Sequence, residues 1–238
     1  MPAHAIVNAP AMYITDTRPV KVNAFVIPYD FEDPTLTMTA HRGDPAACII
    51  CRMDNGAVLK SLHGALRGHG NFTRIHGNKG LMENCRHGDK DRLRVWREPW
   101  EKRKDEPVET VYLPDFPVHH DLARRAGHGG GDFFTSYHFA QAIRTGRQPY
   151  LDVYRGIDMS IVGVQAWRSA LADGATVEIP DFRNEAVRKK YARDDWSPDP
   201  ARAKPGQPPC SVLGEIKPSQ KAMALAKKVW ATKGYYGT

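Results

Sequence analysis

A histidine set among glycines can carry acid–base chemistry, and this chain has one at Gly127-His128-Gly129-Gly130-Gly131-Asp132-Phe133. Imidazole exchanges a proton near neutral pH. Glycine on both sides lets the backbone take positive φ and come close to whatever the ring faces. Asp132 stands where an N-cap or first-turn acid would, and there it can orient the loop. The same stretch also fits a glycine-rich connector with an incidental histidine.

Two further histidines invite the same question. His69 lies in Arg67-Gly68-His69-Gly70-Asn71, where a flexible loop on a rigid sheet could approach a ligand, or could be an ordinary turn. His4 precedes an apolar helix and could aim at a cleft from its entrance, although residue chemistry alone makes it a terminal histidine. His119-His120 and His128 have no recognised metal-ligand spacing, so no metal site is expected. His63, His76 and His138 fall on regular elements and are assigned packing roles.

Cysteines occur at 48, 51, 85 and 210. Cys48 and Cys51 have the spacing of a chelating or redox pair, but they sit in the strand-like run Ala47–Met53. Residues three apart on a strand point to opposite faces, so both read as core cysteines. No GxGxxG follows an N-terminal strand, and no P-loop, HExxH or GxSxG is present.

These groups must be positioned by regular elements. Helices are expected over 4–14 (with a break at Pro10), over 133–145 up to Gly146, and over 153–171 up to Asp173-Gly174. Strands are expected over 18–29, 46–53, 57–65, 72–76, 81–84, 92–97, 109–113 and 175–179. Asn55-Gly56 and the stretch 77–80 mark hairpins. The loop reading covers 30–45, 98–108 and 114–126. Short strands joined by tight turns, with a few helices, imply an α+β fold built on a large open, mostly antiparallel sheet with helices packed on one face. Beyond Phe182 the chain turns polar: a charged helix over 184–193, a Pro- and Lys-rich stretch, and a final amphipathic helix over 219–232.

The 238 residues carry a formal net charge of +7 and 18 prolines. The basic clusters are interleaved with acids, which suits a solvated face better than a phosphate-tracking stripe, so no nucleic-acid partner is expected. No apolar run approaches the length of a membrane helix, and no membrane association is expected.

Several segments together resemble one family: HAIVNAPAMYITDTRPVKVNAF, DNGAVL, RIHGNKGLMEN, GHGGGDFF and PYLDVYRGIDMSIVGVQAWRSALADGATVEIPDF. They are similar to the C-terminal domain of the Gfo/Idh/MocA oxidoreductases, and most to the NAD-dependent glycosidases typified by α-N-acetylgalactosaminidase (glycoside hydrolase family 109). The resemblance covers about residues 3–183. It implies a sugar-contacting, dimer-forming domain that works beside a Rossmann domain holding NAD. It also implies a reaction in which the sugar is oxidised transiently, the aglycone is eliminated, water adds and the ketone is reduced.

By this resemblance His128 matches the acid/base candidate at the leaving group, and His4 matches a histidine facing sugar and nicotinamide. His69 stands where some relatives have tyrosine. The expectation is therefore a chain of two parts: 1–185, a substrate and oligomerisation domain, and 186–238, a tail. His128 and His4 are its catalytic candidates, and His69 and Asp132 its substrate-binding ones. Its partners would be a carbohydrate, further copies of itself, and a separate NAD-binding domain or chain. NAD is implied by the family alone, and the chain is expected to be inactive by itself. The competing readings are a non-catalytic assembly or carbohydrate-binding domain, and part of a sugar dehydrogenase. The chain reads as cytoplasmic as it stands, or periplasmic if a leader precedes it.

Overall fold

Alternation of apolar and polar residues makes the first strand. The computed structural model describes residues 5–31, 43–64, 72–84 and 91–233. In it Pro19–Ile27 forms β1, with Val22 and Ala24 buried and Lys21 and Phe25 exposed. β2 (Ala46–Met53) pairs antiparallel with β1, and β3 (Val58–Gly64) pairs antiparallel with β2. The β2–β3 hairpin turns at Gly56, whose φ of 86° is open to glycine at little cost. Cys51 is fully buried and Cys48 faces the other side of β2, as strand periodicity requires.

The chain forms two compact units, one of residues 1–69 with 153–238 and one of residues 70–152. In the first, a four-stranded sheet has the order β3-β2-β1-β8, its last strand β8 being Val177–Glu178. Helices α1 (Ala5–Thr15) and α4 (Val153–Leu171) pack on one face of it. Met12, Val22, Ile49, Cys51, Met159 and Val162 are central to the core between them. Pro10 lies inside α1 without ending it.

Polar groups fix the register of helix on sheet. The buried Ser169 hydroxyl of α4 accepts from the Ala24 amide at 2.9 Å and donates to the Ala175 carbonyl at 2.6 Å. Asp158, 1 % exposed, meets Arg183 Nη1 at 2.8 Å and Arg18 Nε at 3.6 Å. This ion cluster joins the middle of α4 to the entrance of β1 and to the segment after β8.

Beyond Phe182, α5 (Glu185–Tyr191) is capped by the Asn184 side chain, and α6 (Gln220–Lys233) is amphipathic. The segment between them is held to the first unit. The Trp167 indole donates to the Pro209 carbonyl at 3.1 Å, and Asp44 accepts from the Ser211 hydroxyl at 2.6 Å and from the Val212 amide at 2.9 Å.

The second unit is a four-stranded meander, β4 (Arg74–Gly77), β5 (Gly80–Asn84), β6 (Leu93–Arg97) and β7 (Glu109–Tyr112), in that spatial order. Every pairing is antiparallel. Two helices follow, the short α2 (His120–Ala123) and α3 (Gly131–Thr145), which ends at Gly146 with φ 67°. The stretch 114–126, expected to be loop, thus contains one helical turn. Mixed helices and antiparallel strands make the α+β class that the residue pattern implies.

Candidate functional site

Three successive residues ahead of α3 take left-handed backbone: His128 at φ 53°, Gly129 at φ 61° and Gly130 at φ 97°. Two can do so freely because they lack a Cβ; His128 is the strained member. Gly130 is also the helix N-cap, and being glycine it offers no side chain to the first-turn amides. A Cβ on Gly130 would come within 2.5 Å of the Phe116 ring, so that ring closes the inner side of the loop.

The strain at His128 has a visible product. Its Nδ1 lies 2.9 Å and 3.0 Å from the two carboxylate oxygens of Asp132. With the carboxylate ionised, Nδ1 carries the proton and donates it to Asp132, which leaves Nε2 as the ring's free acid–base atom. The imidazole is 86 % exposed, so Nε2 is open to a reacting group. Asp132 is the first-turn acid of α3, and its carboxylate is used on the histidine. Gly127 belongs to the same device, because a Cβ there would collide with the Asp132 carboxylate. The arrangement can hold one imidazole in one tautomer and one orientation, the requirement for general acid–base catalysis.

Aromatic rings gather on α3 and on the segment before it. Phe116 and Phe134 are 5.0 Å apart, Phe133 and Tyr137 5.7 Å, and the His119 ring is 4.8 Å from Tyr137. Residue chemistry alone did not single out His119 beyond noting its place beside His120. The sign was a histidine doublet close before the glycine loop.

His128 and Asp132 are thus brought together. His4 and His69 lie outside the described residues. Among the described residues no group of three or more His, Cys, Asp or Glu side chains is placed to hold a metal ion. None of the described helices is long and apolar enough to cross a membrane. Burial pushes the Cys51 thiol up to about 12, which keeps it protonated and inert at neutral pH.

The described residues do not fit a dinucleotide. Such sites use a parallel βαβ unit whose glycine turn leaves a strand. Here all described strand pairs are antiparallel, and the glycine turn follows α2 and is filled by Phe116.

The sequence pattern of the family described as "Glycosyl hydrolase 109, C-terminal domain" matches residues 11–189. A glycosyl hydrolase family 109 protein of Streptomyces coelicolor is 25% identical over 175 residues, covering 70% of this chain and 37% of that protein. An alpha-N-acetylgalactosaminidase of Tannerella forsythia is 29% identical over 123 residues, covering 50% of this chain and 25% of the other. Among solved structures, an oxidoreductase domain protein from Kribbella flavida superposes with a TM-score of 0.58 at 20% identity, over 75% of this chain and 49% of that one. A levoglucosan dehydrogenase solved with NADH and L-sorbose gives 0.52 at 21%, over 69% and 46%. The two structures show the shared fold. The match spans between a quarter and a half of each of these proteins. With about three quarters of its length matched, this chain belongs to the glycosyl hydrolase 109 C-terminal domain family.

Proposed function

We propose that this chain is the sugar-facing and assembly domain of an NAD-dependent sugar-modifying enzyme of the glycosidase kind. The observation that carries this reading is the His128–Asp132 pair, built on a glycine loop in which Gly127 leaves room for the carboxylate. Asp132 holds Nδ1, and Nε2 acts on the substrate. Protonated Nε2 gives its proton to the glycosidic oxygen as the C1–O bond breaks and the alcohol leaves. The neutral imidazole then takes a proton from the water that adds. His4 and His69, outside the described residues, stay sugar-contact candidates by the family resemblance alone. NAD belongs in this proposal to a separate nucleotide-binding domain, because the described residues do not fit it. The family and the NADH bound in a structurally similar dehydrogenase support that cofactor.

The open face of the first sheet supports assembly. Phe25, Ile27, Ile50 and Leu62 are 42–58 % exposed on the side away from α1 and α4, a surface suited to a second copy.

The test is NAD binding and turnover of p-nitrophenyl N-acetyl-α-galactosaminide by the purified chain, with and without a partner nucleotide-binding domain. The expected result is no tight NAD binding by the chain alone and NAD-dependent turnover when both halves are present. His128→Ala then lowers the rate by about 10²–10⁴-fold. Tight NAD binding by this chain alone, or full turnover by His128→Ala, would overturn the reading.

A further inference from the structure

Four described non-glycine residues have positive φ: Asp16, His119, His128 and Asp173. Asp16 and Asp173 follow the ends of α1 and α4, where left-handed backbone is common. His128 is held by Asp132. His119 remains. It stands at the start of α2, where extended backbone is usual, with φ 55° and ψ 28° and no capping bond from its side chain. Strain without a capping role calls for another reason.

The ring contacts supply one. His119 lies edge-on to Tyr137, at 4.8 Å and 60°, and 5.8 Å from Phe133. Phe133 and Tyr137, one turn apart on α3, are nearly parallel at 15°. This cluster begins at the residue after Asp132 in the chain, at the same N-terminal end of α3 as the His128–Asp132 pair. It is also at the surface: His119 is exposed, and Phe133 and Tyr137 are half-buried. A parallel, stacked aromatic pair edged by a hydrogen-bonding ring leaves its outer ring face to the C–H face of a pyranose or a flat aryl group.

We propose that His119, Phe133 and Tyr137 form a subsite for the leaving group whose oxygen His128 serves. The proposal rests on the acid–base reading of His128, which supplies the neighbouring reacting oxygen. Phe133 and Tyr137 present the stacking surface, and His119 reaches a hydroxyl or ring edge of the bound group.

The labelled 238-residue chain, titrated with p-nitrophenyl N-acetyl-α-galactosaminide and separately with the methyl glycoside, provides the test. The ring signals of His119 and Tyr137 are expected to shift, more with the aryl glycoside. Tyr137→Leu and His119→Ala each weaken its binding by about tenfold, and Tyr137→Phe restores it. Thermal unfolding of each variant shows whether the fold is kept. Wild-type affinity in folded Tyr137→Leu and His119→Ala, or no ring shift at millimolar glycoside, would overturn the subsite. That outcome, joined to loss of turnover in His128→Gln of the two-part enzyme, would leave the acid–base reading standing. Weakened binding in the ring variants beside full turnover in His128→Gln would sink the acid–base reading and keep the ring site.

Discussion

At the scale of single residues, the glycine loop separates two kinds of glycine. Gly127 has an ordinary backbone, and its lack of a Cβ makes room for the Asp132 carboxylate. Gly129 has left-handed φ but open space around its Cα. Gly127→Ala should therefore push Asp132 off His128, whereas Gly129→Ala should keep the pair and cost about 1 kcal/mol of backbone strain. Nitrogen-15 spectra of the neutral imidazole give the readout. The wild type and Gly129→Ala should show the proton on Nδ1, and Gly127→Ala and Asp132→Ala should lose that preference. An unchanged tautomer in Asp132→Ala would mean that the carboxylate does not set it.

Among the elements, each unit is braced by charge in a different way. In the second, Arg74, Glu83, Arg94 and Glu109 make a ladder across all four strands. Arg74 and Arg94 are the register partners of Glu83, at 2.5 Å and 2.9 Å, and Arg94 reaches Glu109 at 2.7 Å. The hydrogen bond from Arg74 first, and that from Arg94 after it, outweigh burial and hold the Glu83 carboxyl below its ordinary 4.5. A depressed folded value stabilises the sheet above the ordinary value, and that share is lost as pH falls through the folded one. Acid unfolding of the second unit should therefore begin below about 4.5, and Glu83→Gln should remove that part of the pH dependence. A wild-type acid profile in Glu83→Gln would refute the assignment.

In the first unit the brace is buried. Asp158 is closed off while Arg183 remains 40 % exposed. Asp158→Ala should cost about 3 kcal/mol, at the low end for breaking a buried pair because one partner keeps its water. Urea unfolding followed through the buried Trp167 measures it. A loss well under 1 kcal/mol would show that the cluster is not a stability element.

At the scale of the whole molecule, the first sheet is covered on one face by α1 and α4, and among the described residues of its unit the other face carries exposed side chains. Its open rows place Phe25 beside Cys48 and Leu62, and Asn23 beside Ile50 and Lys60. Self-association through this face predicts a dimer or larger assembly in sedimentation. Ile50→Glu with Leu62→Glu should shift it toward the monomer and leave the unfolding midpoint nearly unchanged, because neither side chain is in the core. A monomeric wild type at micromolar concentration would reject assembly through this surface. The second unit has little interior of its own: of its described residues only Ala123 and Gly130 are buried. A unit with so small a buried interior gains stability from further coverage.

Local pattern sufficed for the elements. Period-two alternation marked β1, a buried strand-like run marked β2, Asn55-Gly56 marked a turn, and Ile157, Ile161, Val164 and Trp167 marked α4. It also placed Cys48 and Cys51 on opposite faces, because side-chain direction along a strand follows from covalent geometry. Residue type and the glycine setting singled out His128 and Asp132 as candidates, with Asp132 read as a first-turn acid rather than as the histidine's partner. Only the tertiary structure decided the rest. It showed that Asp132 turns back to the histidine, because Gly127 leaves the space and Gly130 sets the chain direction. The division of strands between two sheets, the Asp158 cluster and the approach of His119 to Tyr137 join residues distant or differently oriented in the chain. Such contacts depend on packing and on backbone angles that no local period encodes.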